Sequence, residues 1–184
     1  CDKRYVFTFS FFFVSFAVIA EPTLEEVVVS ARKVDESVQD VPIAMSVFTS
    51  SDISDAGIER PEDFIALTPN VVMANTVNVG DTLVTIRGLT STRDAESNFA
   101  FVVDGVLQTN PNAFNRELLD IAQIEVLKGP QGALYGRNAT SGAILITTKA
   151  PSEESESTAV VGMGVNNASK LQYVNSGKMG DNVY

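Results

Sequence analysis

Few of the side chains that carry covalent chemistry in proteins occur here in usable arrangements. Histidine is absent and the single cysteine is Cys1, so neither a zinc site nor a Cys–His nucleophile can be assembled. Aspartate, glutamate, serine, lysine and tyrosine remain, and none clusters at a spacing that gives a nucleophile–base pair or a paired-carboxylate site. Gly129, Gly132, Gly136 and Gly142 raise the question of a phosphate loop. The G-x-x-x-x-G-K-[ST] loop needs a lysine after its last glycine, and Gly136 is followed by Arg137. These glycines read instead as tight turns where backbones pack closely. Charge removes another class: 13 Lys+Arg stand against 23 Asp+Glu, a formal charge of −10, whereas a nucleic-acid binder carries a basic footprint. No catalytic residue, metal site or cofactor is expected.

What the sequence does offer is backbone chemistry. Val27-Val28-Val29 is a β-prone run preceded by Glu25-Glu26 and followed by Ser30-Ala31-Arg32-Lys33. A strand so close to the processed N-terminus has to be an edge strand. Its open N–H and C=O groups suit a partner that adds a strand of its own. An ordinary buried strand is the alternative.

The elements that position these residues can be read along the chain. Lys3 and Arg4 precede an apolar or small stretch, Tyr5–Ala20, with small residues before Glu21. This is the pattern of a secretory signal, with cleavage expected between Ala20 and Glu21. A membrane anchor is the alternative, but the stretch falls short of roughly 18 residues and no basic cluster follows. The chain opens on Cys1 and not on Met, so its start is expected upstream. Residues 21–41 lack helical period and read as a mobile N-terminus. From Pro42 a compact domain begins. Ile43–Thr49 alternates as a strand, Ser51 caps a short helix ending at Gly57, and Pro61 opens another that stops at Thr68-Pro69. Strands follow at Thr82–Arg87, Phe101–Val103, Val106–Leu107, Ile124–Leu127 and Ile144–Thr148. Asp104-Gly105 is the strongest hairpin signal. Strands and short helices alternate without a βαβ rhythm, so an α+β fold is expected. Residues 42–151 form this domain. Residues 152–184 are an acidic connector and two further strands, Thr158–Val165 and Leu171–Asn175, patterned like the start of an outer-membrane barrel. Two strands cannot close, so Thr158–Tyr184 is expected to be disordered or aggregation-prone as open edges.

Four segments, in order and in register, resemble the TonB-dependent receptor family. They are Glu25-Glu26-Val27-Val28-Val29-Ser30-Ala31, similar to the TonB box; Val41–Val47, similar to the first plug strand; Ile86-Arg87-Gly88 followed by Val103-Asp104-Gly105-Val106; and Ile124–Ile144, similar to the plug's closing segment. The resemblance spans about Leu24 to Lys149. It implies a plug domain of mixed sheet and short helices, held inside an outer-membrane barrel of about 22 strands, of which only the first antiparallel strands are present. It also implies that Glu25–Ala31 binds the periplasmic domain of TonB. Arg87 and Lys128 would lock the plug to its own β-barrel. The usual residue at the second position is arginine, and lysine lacks the bidentate fork. Outward loops would meet a small-molecule substrate through Asn75, Arg93, Asn110 and Phe114. The wording Gly136-Arg137-Asn138-Ala139-Thr140 resembles receptors for iron complexes, which puts a ferric siderophore ahead of cobalamin, haem or glycans.

The implied function is therefore gating and energised uptake of a scarce solute, with no covalent chemistry. A free-standing periplasmic adaptor without a barrel is the second reading, and an exported enzyme the third. The barrel-like strand at Thr158–Val165 counts against the adaptor, and the missing catalytic spacing against the enzyme.

Overall fold

A computed structural model of the chain describes residues 27–30, 34, 36–75, 82–91, 96–110, 113–151, 155–164 and 169–177. The leader expected at 1–20 lies outside the described residues. Among the described residues no helix is long and apolar enough to cross a membrane, which says nothing of crossing by strands.

The centre is a five-stranded mixed sheet. Its strands are β3 (Met45–Thr49), β9 (Ile121–Lys128), β10 (Gly142–Thr148), β7 (Phe99–Val103) and β8 (Val106–Leu107), side by side in that order. β9 pairs antiparallel with both β3 and β10, while β10 runs parallel to β7. Period-two alternation builds two apolar faces from these strands. Phe99, Phe101, Ile124, Val126, Ile144 and Ile146 point to one. Ala100, Val102, Leu127, Ala143 and Leu145 point to the other. The first face carries the larger core. It is roofed by α1 (Ser50–Asp55), α2 (Pro61–Ala66) and a three-stranded sheet of β4 (Val71–Asn75), β5 (Thr82–Ile86) and β6 (Leu89–Thr90). Phe64, Ile65, Val71, Val84 and Ile86 come from that roof. The second face is covered more thinly, by Ile43, Met45, Leu107 and Tyr135 of the short α3 (Gly132–Tyr135).

The α+β class expected from the sequence is the observed one. Boundaries move for physical reasons. Thr49, not Ser51, caps α1: its hydroxyl accepts from the Asp52 N–H at 3.3 Å, and the Asp52 carboxylate accepts from the Thr49 N–H at 2.9 Å. This is a reciprocal capping box. The two hydrogen bonds from Thr49 hold the Asp52 carboxyl below its ordinary value. β7 starts two residues early and β9 three, because both are buried on two faces and carry no alternation that would mark their ends.

The stretch read as a mobile N-terminus is instead docked where it is described. β1 (Val28–Val29) pairs antiparallel with β2 (Glu36–Ser37). Val29 and Val41 are buried, so apolar burial offsets the entropy of ordering them. At the other end β11 (Glu156–Met163) and β12 (Ser169–Ser176) form an antiparallel hairpin of eight residue pairs.

One glycine is dictated by crowding. A Cβ at Gly142, the first residue of β10, would collide with the Leu127 carbonyl oxygen of β9. Backbone, unlike a side-chain tip, cannot swing away. Gly142→Ala is expected to lower stability by about 1–3 kcal/mol, read as a fall in the urea midpoint at constant slope. An unchanged midpoint would contradict this contact.

Candidate functional site

Two groups of residues stand out. The first is the N-terminal edge. Alternation along a strand sends successive carbonyls to opposite sides. The Val27 carbonyl accepts from the Val38 N–H at 3.0 Å, on the β2 side. The Val28 carbonyl and the Ser30 N–H therefore face away from β2. Both are taken up by side chains of β9: Gln123 Nε2 donates to the Val28 carbonyl at 3.0 Å, and the Ser30 N–H donates to Glu125 Oε1 at 3.1 Å. The Ser30 hydroxyl lies 3.4 Å from the same oxygen, and Gln123 Nε2 lies 3.3 Å from it.

Glu125 is 2% exposed, at the centre of the sheet's second face. A carboxylate that deep needs donors, and the Ser30 N–H and Gln123 supply them. Tyr135 stands nearby. Burial first, and the Glu125 charge second, push its phenol up to about 12. Ser30, Tyr135, Leu134, Val102, Leu107 and Leu145 share the lining of an open cleft of about 490 Å³ beside this cluster. Of the TonB-box residues named from the sequence, Val27, Val28, Val29 and Ser30 are described; Glu25, Glu26 and Ala31 lie outside the described residues.

The second group is a pair of cations at strand ends, and the structure brings them together. Arg87 occupies the first position of the two-residue turn joining β5 to β6, with φ 50° ahead of Gly88 at 82°. Both values belong to the left-handed region, which a side-chained residue enters at a cost. Arg87 is fixed there by its N–H, which donates to the Asn70 carbonyl at 2.9 Å. Its guanidinium lies over Gly129: a Cβ at that glycine would stand 3.0 Å from Nη1. Lys128 precedes Gly129 and donates through Nζ to Ser46 Oγ at 3.0 Å and to the Pro69 carbonyl at 3.4 Å. Its ammonium is pushed below its ordinary value, by desolvation first and by the Arg87 charge second. Among the described residues neither cation forms an ion pair. The folded chain therefore releases the Lys128 proton more readily than the unfolded chain. Its contribution to stability should grow as pH rises through the range just below 10.5. Urea melts of the chain against those of Lys128→Met, across that range, would show the difference; parallel pH profiles would remove the claim.

Of the four loop residues expected at a ligand, Asn110 and Phe114 are described with their side chains, and both line one small cleft. Asn75 ends β4 and its side chain lies outside the described residues, as does Arg93 entirely. Asn110 is exposed. Phe114 is a correction. Expected at a ligand, it is 4% exposed and packs edge-on against Phe99, Phe101 and Phe64, with centroids 5.2, 5.0 and 6.4 Å away. Its loop folds inward because the gap between sheet and roof needs one more large apolar group.

Two residues with positional roles, Gln123 and Glu125, are not singled out by the sequence, although the β9 alternation places them on one face. For Asp104 the turn is expected from the sequence and its side-chain bonds are the addition. At φ 47° beside Gly105 at 78° it makes the expected β7–β8 hairpin turn, and its carboxylate accepts from the Thr148 N–H at 2.8 Å and the Thr148 hydroxyl at 3.0 Å. Among the described residues no group of His, Cys, Asp or Glu could hold a metal ion.

In the β11–β12 hairpin, Ala159, Val161, Met163, Leu171 and Tyr173 share one face by register, with Met163 91% and Leu171 78% exposed. Thr158, Gln172 and Val174 share the other. That face looks onto α1 and β9 across a cleft lined also by Ile53 and Lys149, and Lys170 reaches Glu59 at 2.8 Å.

Comparisons with known proteins bear on the family and the fold. Residues 37–143 match the family model described as TonB-dependent Receptor Plug Domain. The pesticin receptor of Yersinia enterocolitica is 31% identical over 132 residues, 71% of this chain and 19% of that protein. The vitamin B12 transporter BtuB of Vibrio vulnificus is 28% identical over 165 residues, 86% of this chain and 26% of that protein. Among solved structures, the ferric yersiniabactin uptake receptor FyuA of Yersinia pestis superposes with a TM-score of 0.69 at 27% identity, covering 76% of this chain and 22% of that one. The chain thus spans about a fifth to a quarter of the length of these relatives.

Proposed function

Because the chain belongs to the TonB-dependent receptor plug-domain family, whose relatives are outer-membrane receptors, we propose that it is the gating plug of a receptor for energised uptake of a ferric siderophore. The observation that carries this reading is the combination of a strand edge at Val28–Ser30 with a compact mixed sheet. Such an edge is what strand addition by the periplasmic domain of TonB requires. The sheet is a body that such a pull could shift without breaking a covalent bond. Residues 1–20 then act as leader, 21–41 as the pulled segment, 42–151 as plug and 152–184 as connector and opening barrel strands.

The hairpin face of Val161, Met163, Leu171 and Tyr173 suits contact with lipid, and the Lys170–Gln172 face suits contact with the plug. This alternation is that of a membrane barrel, and it favours the receptor over a free-standing adaptor. The siderophore reading draws on relatives named a ferric yersiniabactin uptake receptor and a ferrichrome outer membrane transporter; a vitamin B12 transporter is also among them. Asn75, Arg93 and Asn110 remain the proposed ligand-facing plug residues. Uptake by cells with and without the receptor, across a panel of labelled ferric siderophores and cobalamin, tests the function. Identical uptake of every compound would sink it.

The Arg87–Lys128 pair is proposed as the plug's half of a lock to barrel carboxylates. The left-handed Arg87 supports this: asparagine would suit the turn better, so the guanidinium is held there at a conformational cost. Arg87→Asn should raise the stability of this chain by about 1 kcal/mol. In the full-length receptor it should raise passive leak of small solutes, and Lys128→Ala should do so less. An ion pair in the narrow plug–barrel gap loses on the order of 3–5 kcal/mol when one partner goes. Unchanged leak for both variants would leave two solvated cations.

A further inference from the structure

We infer that Gln123 and Glu125 form a surrogate strand, a built-in stand-in for the partner's backbone that keeps the outer edge of Val28–Ser30 closed. The inference rests on the proposal that this edge receives TonB. In an added antiparallel strand, one N–H would donate to the Val28 carbonyl and one C=O would accept from the Ser30 N–H. The Gln123 amide supplies that donor at 3.0 Å and the Glu125 carboxylate that acceptor at 3.1 Å. The two side chains sit two residues apart on β9, so they emerge on the same face at roughly the spacing of successive same-side groups on a strand. The 3.3 Å contact between them couples the pair.

The opposite edge of the segment is already taken. The Val27 carbonyl accepts from Val38, and Val28–Val29 pairs with Glu36–Ser37. Val29 is 1% exposed. The segment is thus bonded on both sides, and a partner that takes the Val28 carbonyl and the Ser30 N–H must displace one set of bonds. The β9 set is the weaker, because it consists of two side chains and not a continued ladder. Its acceptor is charged and buried, which makes the Ser30 N–H bond the stronger of the two. Glu125 and Gln123 are therefore positioning residues for the capture step: they set how often the edge opens, and through that how tightly the receptor is gripped.

The test uses the full-length receptor in outer-membrane vesicles, with Cys1 replaced by serine where present and a thiol introduced by Val29→Cys. The readout is the rate of labelling by a water-soluble maleimide. Gln123→Ala and Glu125→Ala should each speed labelling by about tenfold, the scale of one lost hydrogen bond to a charged or amide partner. Glu125→Gln keeps an acceptor for Ser30 but loses the charge, and should label at a rate between the parent and Glu125→Ala. Equal rates for the parent, Gln123→Ala and Glu125→Ala would overturn the inference. If Glu125→Ala does not fold, the less buried Gln123→Ala decides alone. Binding of the purified TonB periplasmic domain to the same vesicles separates the two proposals. Faster labelling with no TonB binding in any variant would keep the surrogate strand and sink the TonB reading. Tighter TonB binding with unchanged labelling would do the reverse.

Discussion

A peptide spanning Leu24–Lys33 with Val28→Pro should bind the periplasmic domain of TonB at least about tenfold more weakly than the native peptide, on the scale of a lost backbone hydrogen bond. The position is chosen by strand geometry. The Val27 carbonyl points to β2, whereas the Val28 carbonyl points away from it, to Gln123. The N–H and C=O of one residue lie on the same side of a strand, so the Val28 N–H belongs to the outer edge that an added strand would use. Proline removes that donor, and its ring blocks the approach of a neighbouring chain. Because the bond to Val38 is made by Val27, the change spares the β1–β2 side. In the receptor, Val28→Pro should therefore leave the fold intact and abolish energised uptake. Calorimetry on the two peptides gives the cleanest measurement. Equal affinities would mean that this segment is not captured as a strand.

The second large effect is expected at Phe114. Truncation to alanine should destabilise the folded domain by about 3–5 kcal/mol, the usual cost of removing a buried aromatic ring. Three phenylalanine rings surround it, two with centroids within 5.2 Å, and each loses an edge-on partner. Affinity of the remaining folded receptor for its solute should not change, since the ring does not reach solvent. Asn110→Ala, four residues earlier and exposed, should show the opposite profile, with stability kept and affinity reduced. Denaturant titration and a solute-binding assay on both variants would separate the roles. A stable Phe114→Ala with weakened solute binding would return the residue to the ligand surface.

Phe114 also marks where the sequence stops being legible. Local patterns were readable wherever one residue type has one use: Pro61 at the first position of a helix, Asp104-Gly105 at a turn with two left-handed residues, the alternation that puts Ile144 and Ile146 on one face. The Arg87-Gly88 turn has the same geometry as Asp104-Gly105, but arginine is not a turn residue, so nothing local announced it. Val71–Asn75 carries no strand signal of its own among the expected elements, and its strand character comes from pairing with Thr82–Ile86. The candidate site divides the same way. The valine run and the two cations were visible as types. That Gln123 and Glu125 lie beneath the valine run was not, because 95 residues separate Ser30 from Glu125.

That same distance governs how the chain must come together. β3 finds its partner in β9, which begins 72 residues after β3 ends, and β7 finds its parallel partner in β10 across a 38-residue connection. No early segment can complete the sheet alone, so loop-closure entropy is met before any long-range contact forms. Non-local topologies of this kind assemble on the scale of milliseconds to seconds. A chain emerging N-terminus first stays without its central strands until residue 148 has appeared. For a plug exported as proposed, that delay would suit passage through a channel that demands an unfolded polypeptide, because the domain cannot complete its sheet before β10 arrives, and until then its apolar strands stay open to association.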